Sequence, residues 1–111
     1  MTIRHDEGRL ARRKTNGPAL YFNTAYPRDP PRAAVALLHG YADYSGRFAH
    51  VMDAWAERGI ATVGIDMRGH GRAEGQRGYC SRFAEYLDDV NELVQLVEEQ
   101  VPGVPRFLFG H

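Results

Sequence analysis

Three short segments of this chain carry residues whose types and spacing suit chemistry. The first is His39-Gly40-Tyr41, which runs on to Ser45-Gly46-Arg47-Phe48. A glycine directly after an apolar run lets the backbone turn sharply, so the following amides face the end of that run. Amides held in this way stabilise a developing oxyanion, because they are fixed dipoles that need no reorganisation. His-Gly alone is equally compatible with an ordinary strand-to-helix turn. The second segment is Asp66-Met67-Arg68-Gly69-His70-Gly71. Its glycines permit tight turning, while Asp66 and Arg68 can pair or brace backbone groups. A phosphate loop of the form G-x-G-x-x-G does not fit, since Glu74 stands at the third glycine position. The third segment is Gly110-His111, which matches the first two letters of G-x-S-x-G, a sharp turn that exposes a serine nucleophile.

No triad is expected inside the 111 residues. Ser45 and Ser81 lie outside any G-x-S-x-G frame and read as helix N-caps. Cys80 has Gly78 before it but Arg82 after it, so it reads as a structural thiol. His5, His39, His50, His70 and His111 show no H-x-x-x-H or H-E-x-x-H spacing, so no metal site is expected. His39 and His70 are expected to brace loops, and His50 to lie on a helix surface.

The elements that must position these segments follow from hydrophobic pattern. Leu10 to Arg13 reads as a first strand and Ala19 to Ala25 as a second, bounded by Gly17-Pro18 and Pro27. Asp29-Pro30-Pro31 marks a turn. Ala33 to Leu38 is a continuous apolar run, as expected of a strand covered on both faces. Ser45 to Arg58 has Phe48, Val51, Met52 and Trp55 at helical spacing, with Gly59 placed to stop it. Ile60 to Ile65 is a further strand, and Met67 to Tyr79 a glycine-rich loop. From Arg82 to Val101, the stripe Phe83, Leu87, Val90, Val94, Val97 and Val101 predicts an amphipathic helix buried along that line and capped by Ser81. Arg106 to Phe109 is the last strand. Strands alternating with helices predict an α/β fold with a parallel sheet, whose ligands bind beyond the carboxyl ends of the strands. All three chemical segments fall at that edge.

Composition narrows the class. With 43% hydrophobic and 25% charged residues the chain reads as one soluble globular domain. Net charge is zero, which argues against a nucleic acid or anionic membrane partner. Arg9, Arg12, Arg13 and Lys14 cluster, but without interleaved aromatics they read as a solvated strand face. A single cysteine excludes an internal disulfide. No apolar signal-peptide core and no membrane-length span is present, so a cytoplasmic protein is expected.

In order and spacing, the segments resemble the α/β-hydrolase family, and more narrowly its monoacylglycerol lipase and lysophospholipase branch. The matching residues are His39-Gly40-Tyr41, Ser45-Gly46-Arg47-Phe48, Asp66 through Gly71, and Gly110-His111. The resemblance implies that residues 1–111 are the N-terminal portion of a single hydrolase domain. Its sheet would be mostly parallel, with helices on both faces, and would end at the strand before the nucleophile elbow. The nucleophile, cap, acid and base would then belong to a remainder of the chain, which is also the expected partner. The Tyr41 N–H is implied as an oxyanion-hole donor, which Tyr41→Ala should keep. His39, Gly40, Asp66, Arg68, Gly69 and Gly71 would support the loops, and Gly110 and His111 would flank the elbow. Ala73 stands where the family usually has serine, which implies one loop hydrogen bond fewer. The implied activity is serine ester hydrolysis of monoacylglycerols, lysophospholipids or similar acyl esters, without a cofactor and with at most transient contact with a lipid surface. Epoxide hydrolases and dehalogenases, with an aspartate nucleophile, share the fold, but usually have proline where Ala42 stands. A non-catalytic binding protein of this fold is the third reading.

Overall fold

The computed structural model describes residues 3–12 and 17–111. Five strands form one sheet in the order β1-β2-β4-β3-β5. These are β1 (Glu7–Leu10), β2 (Leu20–Ala25), β3 (Ala33–Leu38), β4 (Ile60–Asp66) and β5 (Arg106–Gly110). β3, β4 and β5 run parallel, while β1 pairs with β2 and β2 with β4 antiparallel. The sheet is therefore parallel where the helices connect its strands, and antiparallel where the N-terminal strands join it.

The first strand differs from its expected place. It spans Glu7–Leu10, in register with β2 from Glu7↔Asn23 to Leu10↔Leu20. Leu10 then enters the core, and the chain leaves the ladder. The arginines nearby are not one solvated face. Arg9 meets Glu74 at the surface, with Nε and Oε2 3.2 Å apart, but Arg12 turns inward and is bound by the Pro18 carbonyl and Asp89. Arg13 and Lys14 lie outside the described residues.

Two helices cover opposite faces, because side chains alternate along each strand. A 3₁₀ turn (Ser45–Phe48) leads into α1 (Ala49–Ala56), whose Met52 and Ala56 pack with Leu37 and Ala25. α2 (Phe83–Gln100) packs Leu93, Leu96 and Val97 against Ala34, Ala36, Ala61, Val63 and Ile65. Burying each of those α2 side chains stabilises the fold by about 1.5–3 kcal/mol. The connections that leave the adjacent strands β3 and β4 thus diverge to opposite faces. That divergence opens a crevice at their carboxyl ends.

The buried line of α2 is not the valine stripe. Val97 and Val101 are buried, but Phe83, Leu87 and Val94 are exposed. The packed face is shifted round the helix to Asp89, Leu93, Leu96 and Val97. That face carries a charge as well as apolar side chains: Asp89 is fully buried against Arg68, a pair that is satisfied only in this rotation of the helix. Ser81 does not cap α2 as an acceptor. Its N–H and hydroxyl both donate to Glu85 Oε1, at 2.7 and 2.9 Å. Those bonds hold the Glu85 carboxyl below the usual range.

Candidate functional site

β3 ends at Leu38, and His39 is buried immediately beyond it. Its Nδ1–H donates to the Gly40 carbonyl at 2.7 Å, and its Nε2 accepts the Met67 N–H at 2.9 Å. Because the Met67 amide is a donor, Nε2 carries no proton, and the ring is neutral. Burial pushes the His39 pKa below its ordinary 6.5, against the pull of the Gly40 carbonyl. One imidazole thus ties the end of β3 to the start of the loop after β4. His70 lies beside it, with ring centroids 5.1 Å apart, and is bonded through Nδ1 to the Arg68 carbonyl. Both histidines brace loops as expected, and His50 is exposed.

Asp66 ties the same two loops from the other face of the sheet. Its Oδ1 accepts the Ser45 N–H and the Ser45 hydroxyl, each at 2.7 Å. Its Oδ2 accepts the Arg72 N–H at 3.0 Å. Ser45 is therefore not the helix N-cap that its sequence position suggests. It is wholly buried, and its hydroxyl also accepts a bond from Asn23 Nδ2 at 2.6 Å. Gly71 is required where the loop closes on this carboxylate. Its φ is +49°, and a Cβ there would come within 2.4 Å of Asp66 Oδ2.

Asp66 and Arg68 do not pair. Asp66 faces α1, whereas Arg68 faces α2 and is fixed there by Asp89. Asp89 Oδ2 accepts the Arg68 N–H at 2.9 Å, and Oδ1 accepts Nη2 at 2.9 Å. Arg12 binds the same carboxylate, and Glu85 lies 3.5 Å from Arg68 Nη1. Burial alone would lower the Arg68 pKa, but the Asp89 hydrogen bonds and charge more than offset it. Sequence reading missed Asp89. The signal was its place four residues before Leu93 and seven before Leu96, which puts it on the packed face.

Gly69 stands between Glu74 and Gly78 within its own loop. Its N–H donates to the Glu74 carbonyl and its carbonyl accepts the Gly78 N–H, both at 2.9 Å. Ala73 is buried in the core cluster, so its methyl is packed where a serine hydroxyl was expected to bond. Arg77 grips this loop by donating to the Gly71, Ala73 and Gly75 carbonyls.

Tyr41 begins the turn that faces the crevice. Asp43 N–H donates to Gly40 O at 3.1 Å, and Ala42 between them has φ +61°. Among the described residues the Tyr41 N–H makes no backbone hydrogen bond, so it remains available as a donor. The Tyr41 hydroxyl donates to the Gly78 carbonyl at 2.8 Å. Tyr41 and Tyr44 are exposed and line an open cavity of about 410 Å³ with Gly69, His70, Gly71 and Arg77. Gly110 pairs with Leu38 at the end of β5, and His111 lies beside Gly40. His111 N–H continues the ladder onto Leu38 O at 3.1 Å, and its ring stands 5.7 Å from Phe48. The three segments singled out in the sequence therefore meet at one edge. Among the described residues, no group of three His, Cys, Asp or Glu side chains is placed to hold a metal ion.

Comparison with known proteins matches residues 29–111 to a family model, Hydrolase_4, described as serine aminopeptidase, S33. The chain is similar to a monoacylglycerol lipase of Mycolicibacterium smegmatis, 34% identical over 95 residues, covering 86% of this chain and 34% of that protein. It is similar to the phospholipase YtpA of Bacillus subtilis, 31% identical over 83 residues, covering 75% of this chain and 31% of that protein. In structure it is similar to a highly thermostable carboxyl esterase from Bacillus coagulans, with a TM-score of 0.83 and 24% identity, over 96% of this chain and 36% of that one. The chain spans about a third of the length of these proteins.

Proposed function

Because this chain belongs to the Hydrolase_4 family of α/β-hydrolases, we propose that it supplies the oxyanion-hole half of a serine carboxylic ester hydrolase. In this reading a serine following His111 attacks the ester carbonyl, and a histidine from the remainder of the protein takes its proton. An acyl-enzyme forms, the alcohol leaves with that proton, and water then releases the acid. The Tyr41 N–H donates to the oxyanion of each tetrahedral intermediate. A donor of this kind is worth about 3 kcal/mol in the transition state.

The observation that carries the reading is the meeting of three segments at one sheet edge, with Gly40 against His111 and the Tyr41 N–H next to it in sequence left unbonded. The family description names a peptidase; the ester reading rests on the lipase and phospholipase relatives. Monoacylglycerols, lysophospholipids and similar acyl esters are the substrate class it favours, and contact with a lipid surface would be transient. The remainder of the hydrolase would dock along the unpaired side of β5 and the exposed face of α2. No helix among the described residues is long and apolar enough to cross a membrane. A cytoplasmic setting goes with this reading.

The aspartate-nucleophile reading is less favoured. Ala42 has φ +61°, whereas proline is locked near −65°. A proline at that position would need a different turn. The test is to treat the full-length protein that carries this chain with a fluorophosphonate and map the labelled peptide. Labelling of a serine directly after His111, with loss of hydrolysis of a monoacylglycerol, is expected. An unlabelled protein, or one labelled elsewhere, would overturn the assignment.

A further inference from the structure

The Tyr41 side chain does something that a main-chain donor does not require. Tyr41 is 70% exposed as a residue, yet its hydroxyl bends back to the Gly78 carbonyl at 2.8 Å. The ring also meets His70 edge-on, with centroids 5.4 Å apart. Gly78 is itself fixed, since its N–H is bonded to Gly69 O at 2.9 Å. On the other side of Tyr41, the turn is strained. Ala42 holds a left-handed φ of +61°, a conformation unfavourable for a residue with a Cβ. A turn under strain relaxes unless something holds it, and relaxation at Ala42 would shift Tyr41 as a whole, and with it the Gly40–Tyr41 peptide that carries its N–H.

We propose that the Tyr41 hydroxyl is a positioning group: bonded to the Gly78 carbonyl, it holds the strained 40–43 turn and aims the Tyr41 N–H into the crevice. The inference rests on the reading of that N–H as the oxyanion donor. It also changes what substitution should do. Tyr41→Ala keeps the N–H but frees it, so activity should fall although the donor is still present. Misplacement by about 1 Å costs a catalytic group on the order of 100-fold in rate.

The test uses Tyr41→Phe in the full-length protein, which removes only the hydroxyl and keeps the ring beside His70. Two readouts are needed. Hydrogen–deuterium exchange across residues 40–43 should quicken, and kcat should fall by roughly 10-fold to 100-fold with KM unchanged. Unchanged exchange would overturn the latch, whatever the kinetics. Quickened exchange with unchanged kcat would overturn the positioning role. A rise in KM alone would point to substrate contact instead, and would also overturn it. If the unsubstituted protein hydrolyses no ester, the catalytic reading fails by itself, and the exchange result still decides the latch.

Discussion

A Cβ placed on Gly40 would lie 2.9 Å from the carbonyl oxygen of His111. The turn after β3 and the end of β5 are thus in contact through backbone, with no space for a methyl group between them. That contact sets the separation between the Gly40–Tyr41 turn and His111. Gly40→Ala must push one segment away from the other. It should lower stability by about 1–3 kcal/mol, as overpacking does, and reduce kcat of the full-length protein more than its KM. Urea midpoints and steady-state kinetics of the same preparation check both effects.

Asp66→Ala should be more damaging to the fold than a typical surface change. It leaves the Ser45 N–H, the Ser45 hydroxyl and the Arg72 N–H without their acceptor, and Ser45 is completely buried. The expected loss is about 3 kcal/mol, from the cost of unsatisfied buried groups. Asp66→Asn should lose less, because one carbonyl oxygen can still accept from Ser45. Equilibrium denaturation of both variants gives the order.

Asp89→Ala removes the acceptor that Arg68 and Arg12 share inside the core. Two guanidinium groups then remain buried without that carboxylate. Breaking such a pair from one side costs about 3–5 kcal/mol. α2 should also lose its rotation, so fluorescence of an apolar dye on the variant should rise as Leu93 and Leu96 become accessible. An unchanged thermal midpoint would contradict the role given to Asp89.

Acid should weaken the fold through His39 before it reaches the carboxylates. His39 is buried and neutral, with a pKa below 6.5, so the unfolded chain takes up a proton more readily than the native one. Its contribution is complete above about pH 6.5 and is lost as pH falls toward its native pKa, at up to about 1.4 kcal/mol per pH unit. Glu74 and Glu85 have lowered values, so their contribution is lost only below the ordinary carboxyl range of about 4.5. His39→Gln should reduce the slope of stability between pH 6.5 and 5 while lowering stability at pH 7. A slope unchanged by the substitution would place the acid sensitivity elsewhere.

The strands β2 to β5 and both helices were legible because their apolar runs and periods match single elements. The site segments were legible because glycine and histidine after an apolar run are unusual. What sequence could not reveal was pairing across long separations. Strand alternation would put Asp66 and Arg68, two residues apart, on one face, but β4 ends at Asp66, and the chain beyond it turns Arg68 toward α2 instead. Ser45 looks like an N-cap until Asp66, 21 residues later, claims both its N–H and its hydroxyl. The valine stripe of α2 was a sound period on the wrong side, since the packed face also includes Asp89, a charged residue that an apolar pattern does not count. β1 was misplaced because its register depends on β2 and not on its own short pattern.

The joining of the loops after β3 and β4 has a consequence for anyone recombining members of this family. His39 reaches Met67, Asp66 reaches Ser45, and Tyr41 reaches Gly78. Residues 39–48 and 66–79 therefore behave as one inheritable block, although β4 and α1 separate them in sequence. Chimeras that take only one of the two loops from a relative should show incompatibility even when each parent is robust. Crossover points before residue 39 or after residue 79 should give libraries with more folded members than a crossover within α1, which parts the two loops.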